Sequence, residues 1–197
     1  MKEEEPPPPD PLRSGFCLEV KGSENRHTWG HGNGSITSVR IWGLEEGARI
    51  QTPGKIRIEI AAEWNRTGLL SEISQQSLPE NIVIGILLSN RENFKLFGTN
   101  TMLDKIFISP SENTSAVVCF DLDLPCLKPD DYFVTVAISL GDANMYYDLQ
   151  WQDICTQFTV YENKMELCGG VVFIDHQTDV TTVEPDGNTK NYKAVLS

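Results

Sequence analysis

Several groups of side chains in this sequence have types and spacings that could do chemistry. His27 and His31 stand four apart in "HTWGH". On a helix, that spacing would turn both imidazoles toward one metal ion. Gly30 and Gly32 argue against a helix there, and His176 is the only other histidine, so no metal site is expected. Asp121 and Asp123 form one acidic pair, and Asp130 and Asp131 another. Glycoside hydrolysis needs two carboxylates facing each other across a cleft. The first pair shares one strand face and the second sits in a turn after Pro129, so solvated surface charge is the ordinary reading of both. "GHGNGS" is glycine-rich, but no helix follows it to receive a phosphate. No G-x-x-x-x-G-K-[ST] pattern and no nucleophile elbow occurs. Nothing in the sequence argues positively for catalysis, and no cofactor is expected.

What remains is an open strand face. "KIRIEIAAEW" alternates, with Ile56, Ile58 and Ile60 on one side and Arg57 and Glu59 on the other. "DYFVTVAISL" turns Tyr132, Val134, Val136 and Ile138 inward and Phe133, Thr135, Ala137 and Ser139 outward. "NIVIGILL" turns Val83, Gly85 and Leu87 away from its core set. These outward side chains are smaller and less charged than a solvated face usually carries. A covering layer, such as a partner subunit or the C-terminal tail, would explain them, because central strands are often covered on both sides. A shallow ligand platform would also explain them. If the strands at 56–64, 82–88 and 132–139 share a sheet, Arg57 and Glu59 lie beside Phe133, Thr135 and Ser139. That set could serve a sugar, with the apolar face of the ring on Phe133 and charge-assisted hydrogen bonds from the rest. The loops around Trp64 and Trp151 are the alternative place for a site.

The elements that must position these residues read as strands. "SITSVRIW" places Ile36, Val39 and Ile41 inward across a one-residue irregularity, and "SAVVCFDLDL" places Ala116, Val118, Phe120 and Leu122 together. "TQFTVYE" offers Phe158 and Val160, and "GGVVFIDH" reads as a last strand. "NIVIGILL" is apolar on both faces and so reads as central. Short strands separated by turn signals such as "LKPDD" and "SLGDAN" predict an all-β antiparallel sandwich. "TGLLSEISQQSLPEN" is expected to hold a short helical turn before Pro79. Residues 1–14 are acidic and carry four consecutive prolines, which favours a stiff extended linker. Residues 15–176 are read as the sandwich domain and 177–197 as a tail or late strand.

Of the 197 residues, 40% are hydrophobic, enough for one sizeable core. The net charge of −12 disfavours nucleic acid and anionic lipid surfaces as ligands. No apolar run approaches the roughly 18 residues of a spanning helix, and "MKEEEPPPPDP" lacks the apolar region of a signal peptide. The five cysteines contain no C-x-x-C pair, so reduced thiols are expected rather than a disulfide framework. Sequons at Asn33, Asn65 and Asn113 support a different reading, a secreted adhesin-like or protein-interaction sandwich.

Three segments in order, "TWGHGNGSITSVRI", "KLFGTNT" and "LKPDDYFVTVAISLGDANMYYD" with the following "FTVYE" and "GGVV", resemble one family over residues 26–174. The chain looks like the C-terminal carbohydrate-binding domain of Wzt-type ATPase subunits, which belong to ABC exporters of bacterial O-antigen polysaccharides. The resemblance implies an immunoglobulin-like, jelly-roll-like sandwich that binds the non-reducing end of a finished glycan in the cytoplasm, without catalysis. It implies a homodimer, and contact with the exporter's transmembrane subunit through an ATPase domain upstream of this segment. The proline-rich start then resembles the linker to that domain. "QTDVTT" after "GGVVFIDH" and the long tail depart from the family pattern, and residues up to 25 do not match it. In "FGTNT" the resemblance implies a structural part: Phe97 in the core, Gly98 at a bend, and Thr99, Asn100 and Thr101 tying down a strand edge.

Overall fold

The computed structural model describes residues 11–13, 15–22, 27–161 and 176–196. Period-2 alternation of β-branched and polar residues produces twelve strands among them. The strands are β1 Phe16–Lys21, β2 Thr28–Trp29, β3 Gly34–Leu44, β4 Arg49–Ile50, β5 Gly54–Trp64, β6 Ile82–Asn90, β7 Lys95–Asn100, β8 Ser115–Leu124, β9 Asp130–Gly141, β10 Tyr146–Val160, β11 His176–Val183 and β12 Thr189–Leu196. They form two sheets, ordered β1-β3-β5-β8-β11-β12 and β2-β10-β9-β6-β7, with β4 on the far side of β10. Pairings are antiparallel except β4 with β10. This is the all-β sandwich that the alternation predicts.

The inward sets meet between the sheets. Ile56, Ile58, Ile60, Val118 and Phe120 from the first sheet are fully buried, as are Ile82, Ile84, Val134, Val136 and Ile138 from the second. Ile36, Val39 and Ile41 are buried too, and the irregularity between them is a register shift against β5 at Ile36/Ser38. Apolar burial of this kind is the main favourable term holding the two layers together. β6 lies between β9 and β7, as its apolar faces require.

Two sequence expectations change. The helical turn before Pro79 is a full helix, α1 Arg66–Gln76. The Asn65 side chain caps it by accepting from Gly68 N–H, and Ser77 ends it in the left-handed region. Its weak amphipathic pattern hides it in the sequence, because only Leu69 is buried. The segment read as tail or late strand is a hairpin, β11 and β12, that extends the first sheet beyond β8. Val180 from this hairpin is buried in the core. The strand expected at "GGVVFIDH" lies outside the described residues except for His176, and so do residues 1–10 and 14 of the expected linker. Pro11–Arg13 forms a single 3-10 turn, and Arg13 pairs with Glu59 at 2.7 Å, so the end of the linker rests on the first sheet. Among the described residues no helix is long and apolar enough to cross a membrane.

Candidate functional site

The structure separates the five residues expected to share one surface. β5 pairs with β3 and β8, so Arg57 and Glu59 lie on the outer face of the first sheet. Phe133, Thr135 and Ser139 lie on β9, on the outer face of the second. Alternation identifies which residues share a strand face, but it does not say which sheet a strand joins. Here α1 carries the chain across from β5 to β6, so consecutive apolar strands end in different layers.

Arg57 and Glu59 are also occupied. Arg57 forms a two-pronged pair with Asp121, its cross-strand neighbour, at 2.5 and 2.6 Å. Glu59 is only 6% exposed and accepts from Arg40 at 3.0 Å and Arg13 at 2.7 Å. Arg40 reaches on to Glu19, and the bonds to Glu59 and then Glu19 raise its pKa. Cys119 sits beside Glu59, and burial followed by that carboxylate pushes its thiol pKa up to about 12. Asp121 and Asp123 therefore serve Arg57 and Lys55. The second acidic pair, Asp130 and Asp131, faces Arg91.

On the second sheet the outward residues enclose a trough of about 330 Å³ over β6, β7, β9 and β10. This is at the small end of the range for small-molecule sites. Register explains its shape. One transverse row runs Trp29, Trp151, Ala137, Gly85, Asn100 across five of the sheet's six strands, β4 being the one it misses. Ala137 and Gly85 make a low floor, with the Trp151 indole on one side and Asn100 on the other. A Cβ on Gly85 would stand 3.0 Å from both Asn100 Cβ and Thr99 O, so a larger residue would clash with β7 as well as raise the floor. The row on one side of it holds Asp148, Ser139 and Val83, and the row on the other side holds Thr135 and Leu87.

The polar groups here are held in place. Ser139 Oγ donates to Asp148 Oδ1 at 2.7 Å. Trp151 Nε1 donates to Asp153 at 2.7 Å, and its ring stacks on Trp29 with centroids 5.5 Å apart. Asn100 Oδ1 accepts from Leu103 N–H. Asp142 accepts from the backbone of Asn144 and Met145 and shapes the turn at the rim. Tyr146 and Leu103, both well exposed, complete the walls. Thr135 and Ser139 line this trough, whereas Phe133 does not. Thr135 Oγ1 accepts from the N–H of Ile154, whose left-handed backbone lies at a bulge of β10. Such a surface can hold the apolar face of a sugar ring against an indole while hydroxyls meet the carboxylate, hydroxyl and amide groups.

Trp151 is the residue that strand-face reasoning left out. The sequence suggests a loop around it, but it lies in β10, and its outward register opposite Ala137 is what puts it in the trough. Trp64 is buried, its Nε1 donates to Asn113 O at 2.9 Å, and only its edge borders a shallow hollow among Asn33, Glu63, Asn65 and Ser115. In "FGTNT", Phe97 packs against the core. Thr101 Oγ1 accepts from Ile84 N–H, and Asn100 closes its turn, so both tie the strand edge. Gly98 differs from expectation: it has no left-handed backbone, and a Cβ there would come within 3.2 Å of Leu87 Cδ1, so it leaves room rather than permitting a bend.

The three sequon asparagines all have internal work. Asn33 donates to Glu72, Asn65 caps α1, and buried Asn113 donates to Ser109 O. His31 stacks on Tyr147 with centroids 4.1 Å apart. Among the described residues no cluster of histidine, cysteine and carboxylate side chains is placed to hold a metal. Cys17, Cys119, Cys126 and Cys155 are free thiols.

A family model described as the Wzt C-terminal domain matches residues 25–174. Among curated proteins none matches. A solved structure, the crystal structure of the C-terminal domain of wzt, superposes with a TM-score of 0.58 at 19% identity, covering 87% of this chain and 92% of that one. At that identity the likeness speaks for the fold.

Proposed function

The chain belongs to the Wzt C-terminal domain family, and on that footing we propose that it is a non-catalytic carbohydrate-binding module. It recognises the non-reducing terminus of a bacterial O-antigen polysaccharide and so marks finished chains for export by an ABC transporter. It works in the cytoplasm as a homodimer, with the transporter's transmembrane subunit reached through an ATPase domain. The observation that carries the reading is the trough: an indole wall at Trp151 beside an Ala137–Gly85 floor, with Ser139 and Asp148 at the edge. Small residues in the middle of a strand face leave a gap that the protein does not fill, and the flanking polar groups suit hydroxyls.

Thr135 and Ser139 stay in the proposed contact set, Thr135 as a wall that also supports β10. Trp151, Asn100 and Asp148 join them. Arg57 and Glu59 leave it, because each is spent on an ion pair in the other sheet. Phe133 falls outside the trough and flanks it. At 330 Å³ the trough is small for a ligand site, which suits the terminal residue of a chain better than a long stretch of polymer. Affinity per site is modest, and two sites in a dimer raise it for clustered ligands. The test compares intact polysaccharide with the same polymer stripped of its terminal residue. Intact chains should bind and stripped chains should not, and equal binding of the two contradicts terminal recognition.

A further inference from the structure

Sites built for phosphate or carboxylate hold the anion with arginine, lysine or backbone N–H groups at a helix start. The trough has none of these. Among the described residues no lysine or arginine lines it, no residue of α1 reaches it, and its ionisable carboxylates are Asp142 and Asp148. The Ser139 hydroxyl proton is directed to Asp148, so it is not offered to an incoming anion. Most of the remaining surface is apolar, with Val83, Leu87, Ala137 and Trp151 around the Gly85 gap. The chain as a whole adds a net charge of −12 to the field at the mouth.

We propose that the sugar seated in the trough is uncharged and carries an apolar substituent, such as the methyl group of a 6-deoxyhexose, and that Asp148 excludes phosphorylated and uronic acid residues. The inference rests on the trough being the glycan site. The methyl group fills the space above Gly85 and Ala137, which leaves the ring hydroxyls toward Asp148 and Asn100. Filling an apolar gap with one such group typically changes discrimination by about 10- to 200-fold. Exclusion of the anion is built in by repulsion rather than by a better fit elsewhere. It follows that binding of the neutral sugar varies little with ionic strength, whereas rejection of the phosphate weakens as salt screens it.

The test is an NMR titration of the isotope-labelled full chain with four methyl glycosides: a 6-deoxyhexose, its parent hexose, the hexose 6-phosphate and the hexuronic acid. The amides of Ala137, Thr135 and Trp151 report on the trough. The expected result is shifts there in the order 6-deoxyhexose, hexose, then little or none from the two anions. The variant Asp148→Asn should raise the ratio of phosphate to 6-deoxyhexose affinity by about tenfold, and the comparison on the parent chain stands whether or not that variant folds. Trough shifts from the phosphate or uronate as strong as those from the 6-deoxyhexose overturn the selectivity and leave the site in place. If every probe leaves the trough silent while the intact polysaccharide shifts residues elsewhere, the site assignment fails and this inference fails with it.

Discussion

The outer faces of the two sheets carry similar raw materials and treat them differently. On the first sheet, charged side chains meet across strands: Arg57 with Asp121, Lys55 with Asp123, and Arg13 and Arg40 with Glu59. Every cation in that row has an anion beside it, and the face is closed by its own bonds. On the second sheet the middle of the face is Ala137 and Gly85, bordered by an indole and by Ser139 with Asp148. There the side chains are too small to satisfy one another across the gap. An arginine and a carboxylate near an aromatic suggest a sugar clamp in sequence, yet charges that find each other within the fold are poor bait for a ligand. A gap bordered by held polar groups is better.

Filling the gap should have the largest effect. Ala137→Trp places a large side chain on the floor beside Trp151 and should reduce glycan binding by about 100-fold or more, the scale of a lost central anchor. Near-parental far-UV circular dichroism would show that the sheet survives, since Ala137 faces outward. Binding that persists in a folded Ala137→Trp protein places the ligand off this sheet.

The closed face has a chemical signature of comparable size. With its pKa raised to about 12 by burial and Glu59, Cys119 should react with a thiol-directed alkylating reagent roughly a hundredfold more slowly than an ordinary exposed cysteine at pH 8, the loss of thiolate being partly offset by its greater nucleophilicity. Peptide mapping after brief alkylation should find Cys119 unlabelled in the native protein and labelled after unfolding. Rapid native labelling would show that the first sheet's face opens.

Next comes stability. Arg57→Ala leaves Asp121 without its partner in a pair whose side chains are 12% and 21% exposed. The loss should be about 1–2 kcal/mol, between the values for exposed and fully buried pairs. Urea unfolding measures it, and an unchanged midpoint would mean that the pair is solvated and the face is not closed in the way described.

The smallest effect is acid sensitivity at the end of β9. Hydrogen bonding from the Thr159 hydroxyl, and then the nearby Arg91, hold the Asp131 carboxyl below its ordinary range. A depressed folded value means stability that is fully present above the unfolded pKa of about 4 and is lost as pH falls through the folded one. Melting temperature should therefore fall more steeply below pH 4 in the parent than in Asp131→Asn. Parallel curves for the two would remove this contribution.

Much of the sandwich was legible in the sequence, because alternation reports directly which side of a strand is buried. Ile56, Ile58, Ile60 and the inward set of β9 follow from it, and even the bulge near Ile36 shows as a break in period. Sheet membership was not legible. It depends on long-range pairing and on the crossing at α1, a helix that buries only Leu69 and so prints almost no periodic signal. That gap misplaced Arg57 and Glu59. Half of the candidate site was readable, namely the outward Thr135, Ala137 and Ser139 with Gly85. Trp151 could have been added by counting back by twos from the inward Phe158, because the bulge at Asp153–Cys155 adds two residues and so shifts the register while leaving Trp151 on the outward side.

On the proposed function, the glycan meets the second sheet at Trp151 and never the charged row of the first. The most direct measurement is isothermal titration of the intact polysaccharide into three proteins side by side: the parent, Trp151→Ala and Arg57→Ala. The expected result is at least tenfold weaker binding for Trp151→Ala, the cost of removing an aromatic anchor, with parental affinity for Arg57→Ala despite its lower stability. Parental affinity in a folded Trp151→Ala, or loss of binding in a folded Arg57→Ala, would contradict it.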